Sequence, residues 1–236
     1  SYSGTDRLDR FNSQLKPSRS VHREVGVKTG FWPSSRLEVA LYDINTQDEI
    51  VVLSSNDGKT SYTNAAQTRR RGAEVALTVV PYPSWRFTTA LNQISAEYSR
   101  SFQSGTTLIA AGNTIPGVPT AYRFAEIAWS TLAWRLEADG LRKSQAATTA
   151  ALEWISADTV FANDRNDRYA DGYEIANARF SHDIPLAMGT LSVLARVDNL
   201  LKRKHIGSVI VGNAYPFEPA APRNGFLGLR YTLKLN

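Results

Sequence analysis

The chain alternates apolar and polar residues over many short segments, and this pattern is clearest at its C-terminal end. A period of two residues is typical of a β-strand with one apolar and one polar face. A terminal strand leaves an open sheet edge unless it closes a barrel, so we expect this segment to be a barrel-closing strand. Its apolar parity carries Leu227, Leu229, Tyr231, Leu233 and Leu235, and its other parity carries Gly228, Arg230, Thr232, Lys234 and Asn236.

The predicted strands are separated by two kinds of connection that take turns along the chain. Short segments rich in Pro and Gly lie at 30–35, 81–84, 137–140 and 184–189. Long polar segments lie at 54–61, 104–118, 161–170 and roughly 202–222. This alternation is typical of an up-and-down barrel with tight turns on one rim and extended loops on the other.

Nine strands are predicted on this basis, and residues 1–20 precede the first of them. The strand at 144–158 is the least clear, because its sequence also suits a short helix. The predicted strands span about 21–30, 36–53, 62–80, 85–102, 119–135, 144–158, 172–182, 189–199 and 224–236.

With 42% hydrophobic residues and a mean hydropathy of −0.30, the bulk hydropathy is typical of a soluble protein, and the absence of cysteine is compatible with an oxidising or envelope compartment. No apolar run approaches the ~18 residues of a membrane helix, but barrel strands hide their apolar residues in alternation. Trp32, Tyr82 and Trp85 cluster at short turns, where an interfacial aromatic belt would lie. The net charge of +5 is spread along the chain and lacks a basic groove with interleaved aromatics, so no nucleic-acid partner is predicted.

Catalytic and metal-binding chemistry finds little support in the sequence. His22, His182 and His205 are far apart and have no companions at ligand spacing. There is no nucleophile elbow, and the acidic stretch at 164–172 lacks the ligands of a calcium loop, with Arg168 and Ile175 at two of the required positions. The sequence therefore predicts that the protein is not an enzyme and that it has no catalytic residue, cofactor or metal site.

Six segments, in order along the chain, carry a resemblance to one protein family. They include the run from Thr68 to Glu74 with its three arginines, the segment from Gly112 to Pro119 that leads into the next predicted strand, and the segment from Val197 to Leu201 followed by three basic residues. The others are 15–28, 40–50 and 217–224. Together they resemble the C-terminal part of the barrel of a TonB-dependent outer-membrane receptor of the siderophore type. The match departs at Ser18, Leu201, Lys202 and His205, and in ending on Asn236 rather than on an aromatic residue.

The resemblance implies an all-β, antiparallel transmembrane barrel of about 22 strands, of which residues 1–236 would supply about nine. Such a portion is not closed on its own, and the family's N-terminal plug domain is expected to be absent from it. The implied function is active import of a scarce ligand such as a ferric siderophore across the Gram-negative outer membrane. The implied partners are TonB with ExbB and ExbD acting through the plug, outer-membrane lipid, and the barrel-assembly machinery.

Charged residues opposite the apolar parity should face the barrel lumen, because a central Arg or Lys on the lipid face costs roughly 2–4 kcal/mol. They would either keep the wall wet or contact the plug; they are Glu24, Lys28, Arg70, Glu74, Arg196 and Arg230. Arg23 is an exception, since it lies on the apolar parity near the expected outer rim. In the long loops, Tyr215, Phe217 and Arg223 combine aromatic surface with a cation and are candidate contacts for an anionic chelate.

Two alternatives to an active receptor remain open from the sequence. A passive pore or structural barrel without a plug would share the same strands. A soluble β-sandwich would instead bury the apolar parity of each strand against a second sheet.

Overall fold

The computed structural model describes residues 15–56, 58–137, 140–143 and 148–233. Nine strands in this part of the chain form one antiparallel sheet, and each strand pairs with its neighbours in sequence order. The strands are β1 (Arg19–Trp32), β2 (Ser35–Asn56), β3 (Lys59–Tyr82), β4 (Trp85–Tyr98), β5 (Ala121–Ser130), β6 (Thr148–Ala157), β7 (Tyr173–Leu186), β8 (Gly189–Asp198) and β9 (Asn224–Leu233).

This order confirms the predicted up-and-down, all-β architecture. The sheet is open, with β1 and β9 at its two edges. The segment at 144–158 forms a strand rather than a helix, although residues 144–147 lie outside the described residues. The same is true of 234–236, so the predicted orientation of Lys234 and Leu235 is not described. Over the described residues, no helix is long and apolar enough to cross a membrane.

The two faces of the sheet differ sharply in chemistry. On what we call the apolar face, large hydrophobic side chains are exposed; they include Val25, Leu41, Leu91, Leu152, Phe180, Leu227 and Leu229, the last two being 73% and 71% exposed. No described strand covers them, whereas a sandwich would pack a second sheet there. The opposite, polar face carries most of the charged residues of the same strands. This arrangement is that of a membrane barrel wall and not of a soluble sandwich.

One rim is made of tight turns, with one exception. Residues 33–34, 83–84 and 187–188 join β1 to β2, β3 to β4 and β7 to β8. Between β5 and β6, however, the chain continues through residues 131–147 and forms a small separate hairpin, Trp134–Glu137 with Gly140–Lys143. The predicted strand end at 135 was therefore wrong, because β5 ends at Ser130, and the predicted start at 144 lies outside the described residues.

Burial of Trp134 explains this difference. Its side chain is 6% exposed and packs with Val80, Ala128 and Ala151 instead of continuing the alternation of β5. Burying a large aromatic side chain outweighs the few strand pairings that residues 131–135 could have added. The turn predicted at 137–140 thus belongs to this small hairpin rather than to the main sheet.

The other rim carries the long connections. Most of the loop predicted at 54–61 is strand, because β2 and β3 stay paired up to Asn56 and Lys59. Three further connections each contain a short strand pair of their own. These pairs are Phe102–Ser104 with Thr107–Ile109, Val160–Phe161 with Tyr169–Ala170, and Ile206–Val209 with Phe217–Pro219.

Candidate functional site

A continuous network of charges crosses the polar face from β4 to β8. Strand register places Glu126 of β5 directly opposite Glu153 of β6, and Arg179 of β7 directly opposite Arg196 of β8. Like charges in directly opposed positions repel unless counter-charges lie between them. Here each like-charged pair supplies the counter-charges for the other. We call these four residues, with Arg86 of β4, the charge ladder.

The contacts of the ladder are close and branched. Glu126 accepts hydrogen bonds from Arg86 Nη2 at 2.5 Å and from Arg179. Glu153 binds Arg179 Nε at 3.2 Å and both terminal nitrogens of Arg196, at 2.8 and 3.1 Å. Arg179 therefore bridges the two carboxylates, and a fork of Arg196 closes the far end.

Burial makes these pairs stronger than ordinary surface ion pairs. Glu126 and Glu153 are only 8% and 9% exposed. The guanidinium of Arg86 lies 4.0 Å from the centre of the Trp134 ring, so the small hairpin covers that end of the ladder. Such pairs are costly to break, because removing one partner leaves a charge that is poorly solvated.

All six residues predicted to face the lumen lie on the polar face. Arg196 belongs to the ladder, Lys28 pairs with Glu38 at 3.1 Å, and Glu74 accepts a hydrogen bond from Asn92 at 2.9 Å. Arg70 pairs with Glu49, while Glu24 and Arg230 are exposed on the two edge strands. The structure brings only Arg196 into the ladder; the six do not form one cluster. Their contact with a plug stays a prediction.

A change of backbone conformation at Asp48 makes the Arg70 pair possible. Asp48 has a φ of 50°, in the left-handed region that Asp tolerates better than most residues. Beyond it Glu49, whose parity lies on the apolar face earlier in β2, contacts Thr68 and Arg70 of the polar face. Strict alternation along β2 could not have predicted this pair.

Four members of the ladder were not predicted from the sequence: Arg86, Glu126, Glu153 and Arg179. Their parity was the available signal. This signal was weak on β5, because the aromatic residues Tyr122 and Phe124 lie on the polar face with Glu126, while the charged residue Arg123 lies on the apolar face.

The long-loop rim is held together by contacts between loops. Ser55 at the tip of the β2–β3 hairpin donates its N–H to Gly212, and Gly212 donates to Ala162 in the β6–β7 loop. Arg168 binds the carbonyl of Ala214 at 3.0 Å. Three connections that are distant in sequence therefore converge over one part of the rim.

The predicted ligand contacts lie in this region but are not brought together. Tyr215 is 88% exposed, and Arg223 is exposed next to the start of β9. Phe217 is half-buried beneath Arg168, whose guanidinium carbon lies 5.8 Å from the ring centre. In the sequence, Arg168 served only as an argument against a calcium loop. In the structure it is the cation that stacks on Phe217.

A buried hydrogen bond links β4 to the β6–β7 loop. The Tyr98 hydroxyl donates to Asp164 Oδ1 at 2.6 Å, and Tyr98 is fully buried. Burial raises the pKa of Asp164 above its ordinary value, and the hydrogen bond from Tyr98 offsets only part of that effect. Nearby, the Asn166 amide pairs with both the N–H and the carbonyl of Thr114, which fixes the two loops in register.

Replacing Tyr98 by Phe should loosen this junction by about 1–3 kcal/mol, because Asp164 would stay buried without its hydroxyl donor. Hydrogen–deuterium exchange in micelles should show faster exchange of the amides at 161–168. Tyr215→Phe removes the same group from an exposed position and should leave that exchange unchanged. Equal protection in the wild type and in Tyr98→Phe would contradict a stabilising role for this hydrogen bond.

Within the described residues, no group of three or more His, Asp or Glu side chains is arranged to hold a metal ion. What the site offers instead is a charged wall on one face and a set of interlocked loops at one rim.

Comparison with known proteins agrees with this architecture. Residues 2–200 match the family model described as TonB dependent receptor-like, beta-barrel. Three of the similar solved structures are the ferric preacinetobactin receptor BauA from Acinetobacter baumannii, the ferric yersiniabactin uptake receptor FyuA from Yersinia pestis, and the copper transporter OprC. Their TM-scores are 0.67, 0.64 and 0.66, at sequence identities of 14%, 15% and 15%.

These alignments cover 90%, 90% and 96% of this chain but only 29%, 29% and 34% of the three relatives. The chain thus spans about a third or less of the length of the proteins it resembles. At such identities the structural likeness shows the fold alone, and the family model supplies the assignment. The chain belongs to the TonB-dependent receptor β-barrel family, whose members lie in the outer membrane of Gram-negative bacteria.

Proposed function

We propose that this chain is the C-terminal part of the barrel of a receptor that imports a metal chelate, a ferric siderophore in the first instance, with energy supplied through TonB, ExbB and ExbD. The family consists of transport receptors rather than enzymes. In this proposal the ligand is captured, moved and released without any chemical change.

The observation that carries the proposal is the contrast between the two faces of the sheet, taken with the family assignment. An apolar face with exposed Leu227 and Leu229 suits lipid, and a polar face lined by the charge ladder suits a water-filled or plugged lumen. The nine-stranded sheet is open at β1 and β9, so closing the barrel requires further strands. We propose that these strands and a plug domain belong to the same protein.

Some charged side chains of the polar face are already held in ion pairs, whereas others are exposed and available to bind a plug. This difference suggests where a plug would bind. Arg196 is already held by Glu153 and Asp198. Glu24 and Arg230 are exposed, so they are the better candidates for contacts that form and break during transport. Ion pairs of this exposed kind are weak, which suits an interface that must rearrange.

Ligand capture is proposed for the loop rim. Tyr215 offers an exposed aromatic face, and Arg168 beside Phe217 places a fixed cation over a second ring. Together with Arg223, these groups combine stacking surface and positive charge, which suits a bulky anionic chelate. The identity of the chelate would be decided jointly by these loops and by the plug.

A transport assay tests this proposal. The natural full-length protein would be expressed in a host without its own ferric-siderophore receptors, and uptake of radioactive iron would be measured with catecholate, hydroxamate and carboxylate chelates. We expect uptake of at least one chelate to require TonB. A control expressing only residues 1–236 should show no TonB-dependent uptake. Uptake that is equal with and without TonB would favour a passive pore and contradict the proposal.

A further inference from the structure

The apolar face changes character at one level across three neighbouring strands. Val25, Leu41 and Ala73 lie opposite one another on β1, β2 and β3. One step closer to the long-loop rim, the same face carries Arg23, Asp43 and Arg71 in mutually opposed positions. The step after that carries Asn45, Arg69 and Glu97. Since each step is about 7 Å along a strand, the apolar surface gives way to charge abruptly.

Positive charge exceeds negative charge in this patch. Asp43 accepts hydrogen bonds from Arg69 and from Arg71 Nε, the latter at 3.3 Å, while Arg23 adds a third guanidinium across from it on β1. One carboxylate cannot neutralise three arginines, and including Glu97 still leaves one net positive charge. By contrast, Arg123 on the same face of β5 is matched one to one by Asp158 at 2.7 Å.

The patch is also open to its surroundings. The side chain of Arg71 is 56% exposed, and Arg23 is exposed as well. Asp43 orients Arg69 and Arg71 without covering them, because both guanidinium groups converge on this single carboxylate. Directly below, Val25 and Leu41 are 68% and 52% exposed. The surface therefore offers oriented cations immediately above uncovered apolar side chains.

We propose that Arg23, Arg69 and Arg71 bind the phosphate groups of a phosphorylated glycolipid of the outer leaflet, whose acyl chains lie against Val25 and Leu41. A guanidinium fork matches phosphate oxygens in geometry and charge, and such bonds are stronger at the edge of an apolar layer than in water. The position of Arg23 on the lipid-facing parity, unexplained by alternation, follows from this role. The inference requires only that the barrel lies in the outer membrane and does not depend on the transported ligand.

The test is lipid binding by the natural full-length protein in detergent, measured by native mass spectrometry during titration with lipid A. The double variant Arg23→Gln, Arg71→Gln should bind lipid A on the order of tenfold more weakly than the wild type, because it loses two charged donors. Arg36→Gln removes a charge from the polar face near the opposite rim and should bind like the wild type. Dephosphorylated lipid A should bind equally to all three proteins.

Two further results decide the matter. Arg71→Lys keeps the charge but loses the guanidinium fork, so its affinity for lipid A should fall between those of the wild type and the double variant. If the double variant does not fold, this single variant tests the proposal in its place. Equal lipid A affinity in all of the variants, or equal binding of lipid A and its dephosphorylated form by the wild type, would overturn the proposal.

Discussion

Replacing Gly72 by Ala should destabilise the barrel wall by about 1–3 kcal/mol, the usual cost of inserting a methyl group into a filled space. A Cβ at this position would lie 2.2 Å from the Tyr42 hydroxyl oxygen and 2.7 Å from the carbonyl oxygen of Gln93. The tyrosine side chain could swing away, but the carbonyl belongs to the backbone of β4 and is held by the sheet. The strand pairing of β3 with β4 must therefore shift.

The measurement is urea unfolding of the natural full-length protein in micelles, compared with Gly225→Ala. Among the described residues, a Cβ at Gly225 would meet only the Arg196 carbonyl oxygen, at an ordinary contact distance of 3.6 Å. Gly225→Ala should therefore be neutral or slightly stabilising, because alanine reduces the freedom of the unfolded chain. If the free energy of unfolding falls by the same amount in both variants, this would contradict the close packing of Tyr42 over Gly72.

Replacing Glu153 by Gln should cost about 1–3 kcal/mol, because Arg179 and Arg196 would lose the negative charge that they share. The glutamine keeps the size and some hydrogen bonding, so the loss reports on charge rather than on packing. The figure lies below that of a fully buried pair, since both arginines are 37% exposed and water screens part of the attraction.

Glu38→Gln is the matched control for this change. Glu38 also binds two cations, Lys28 at 3.1 Å and Arg36 at 2.7 Å, but its side chain is 32% exposed against 10% for Glu153. The free energy of unfolding should therefore fall by no more than about 0.5 kcal/mol in this control. Equal losses in the two variants would show that burial does not strengthen the ladder.

The strands and their order could be predicted because alternation is a local property of the sequence. Each side chain in a strand points to the face opposite that of its neighbours, so Leu227 and Leu229 identify the apolar face of β9 even when the strands that pair with it are unknown. The error at residues 131–135 has a non-local cause. Trp134 leaves the strand pattern because Ala128 and Ala151, from two different strands, offer it a place to pack.

The candidate site was less predictable, because its contacts join distant parts of the chain. Parity alone identified Arg196 as a polar-face residue, but its partner Glu153 lies 43 residues away and depends on the register of three strands. Asn213 binds the carbonyl of Ser55 across 158 residues. No local pattern encodes which loops meet at the rim, so Arg168 and the Tyr98–Asp164 bond could only be found in the folded structure.

The central claim is that one face of this sheet meets lipid and the other meets the lumen. Nitroxide scanning of positions 191–197 on β8 tests it most directly, with single-cysteine variants of the natural full-length protein in lipid bilayers; this segment contains no cysteine of its own. Oxygen accessibility should peak at 191, 193, 195 and 197 and fall at 192, 194 and 196. An absence of alternation, or a maximum at the even positions, would contradict the account.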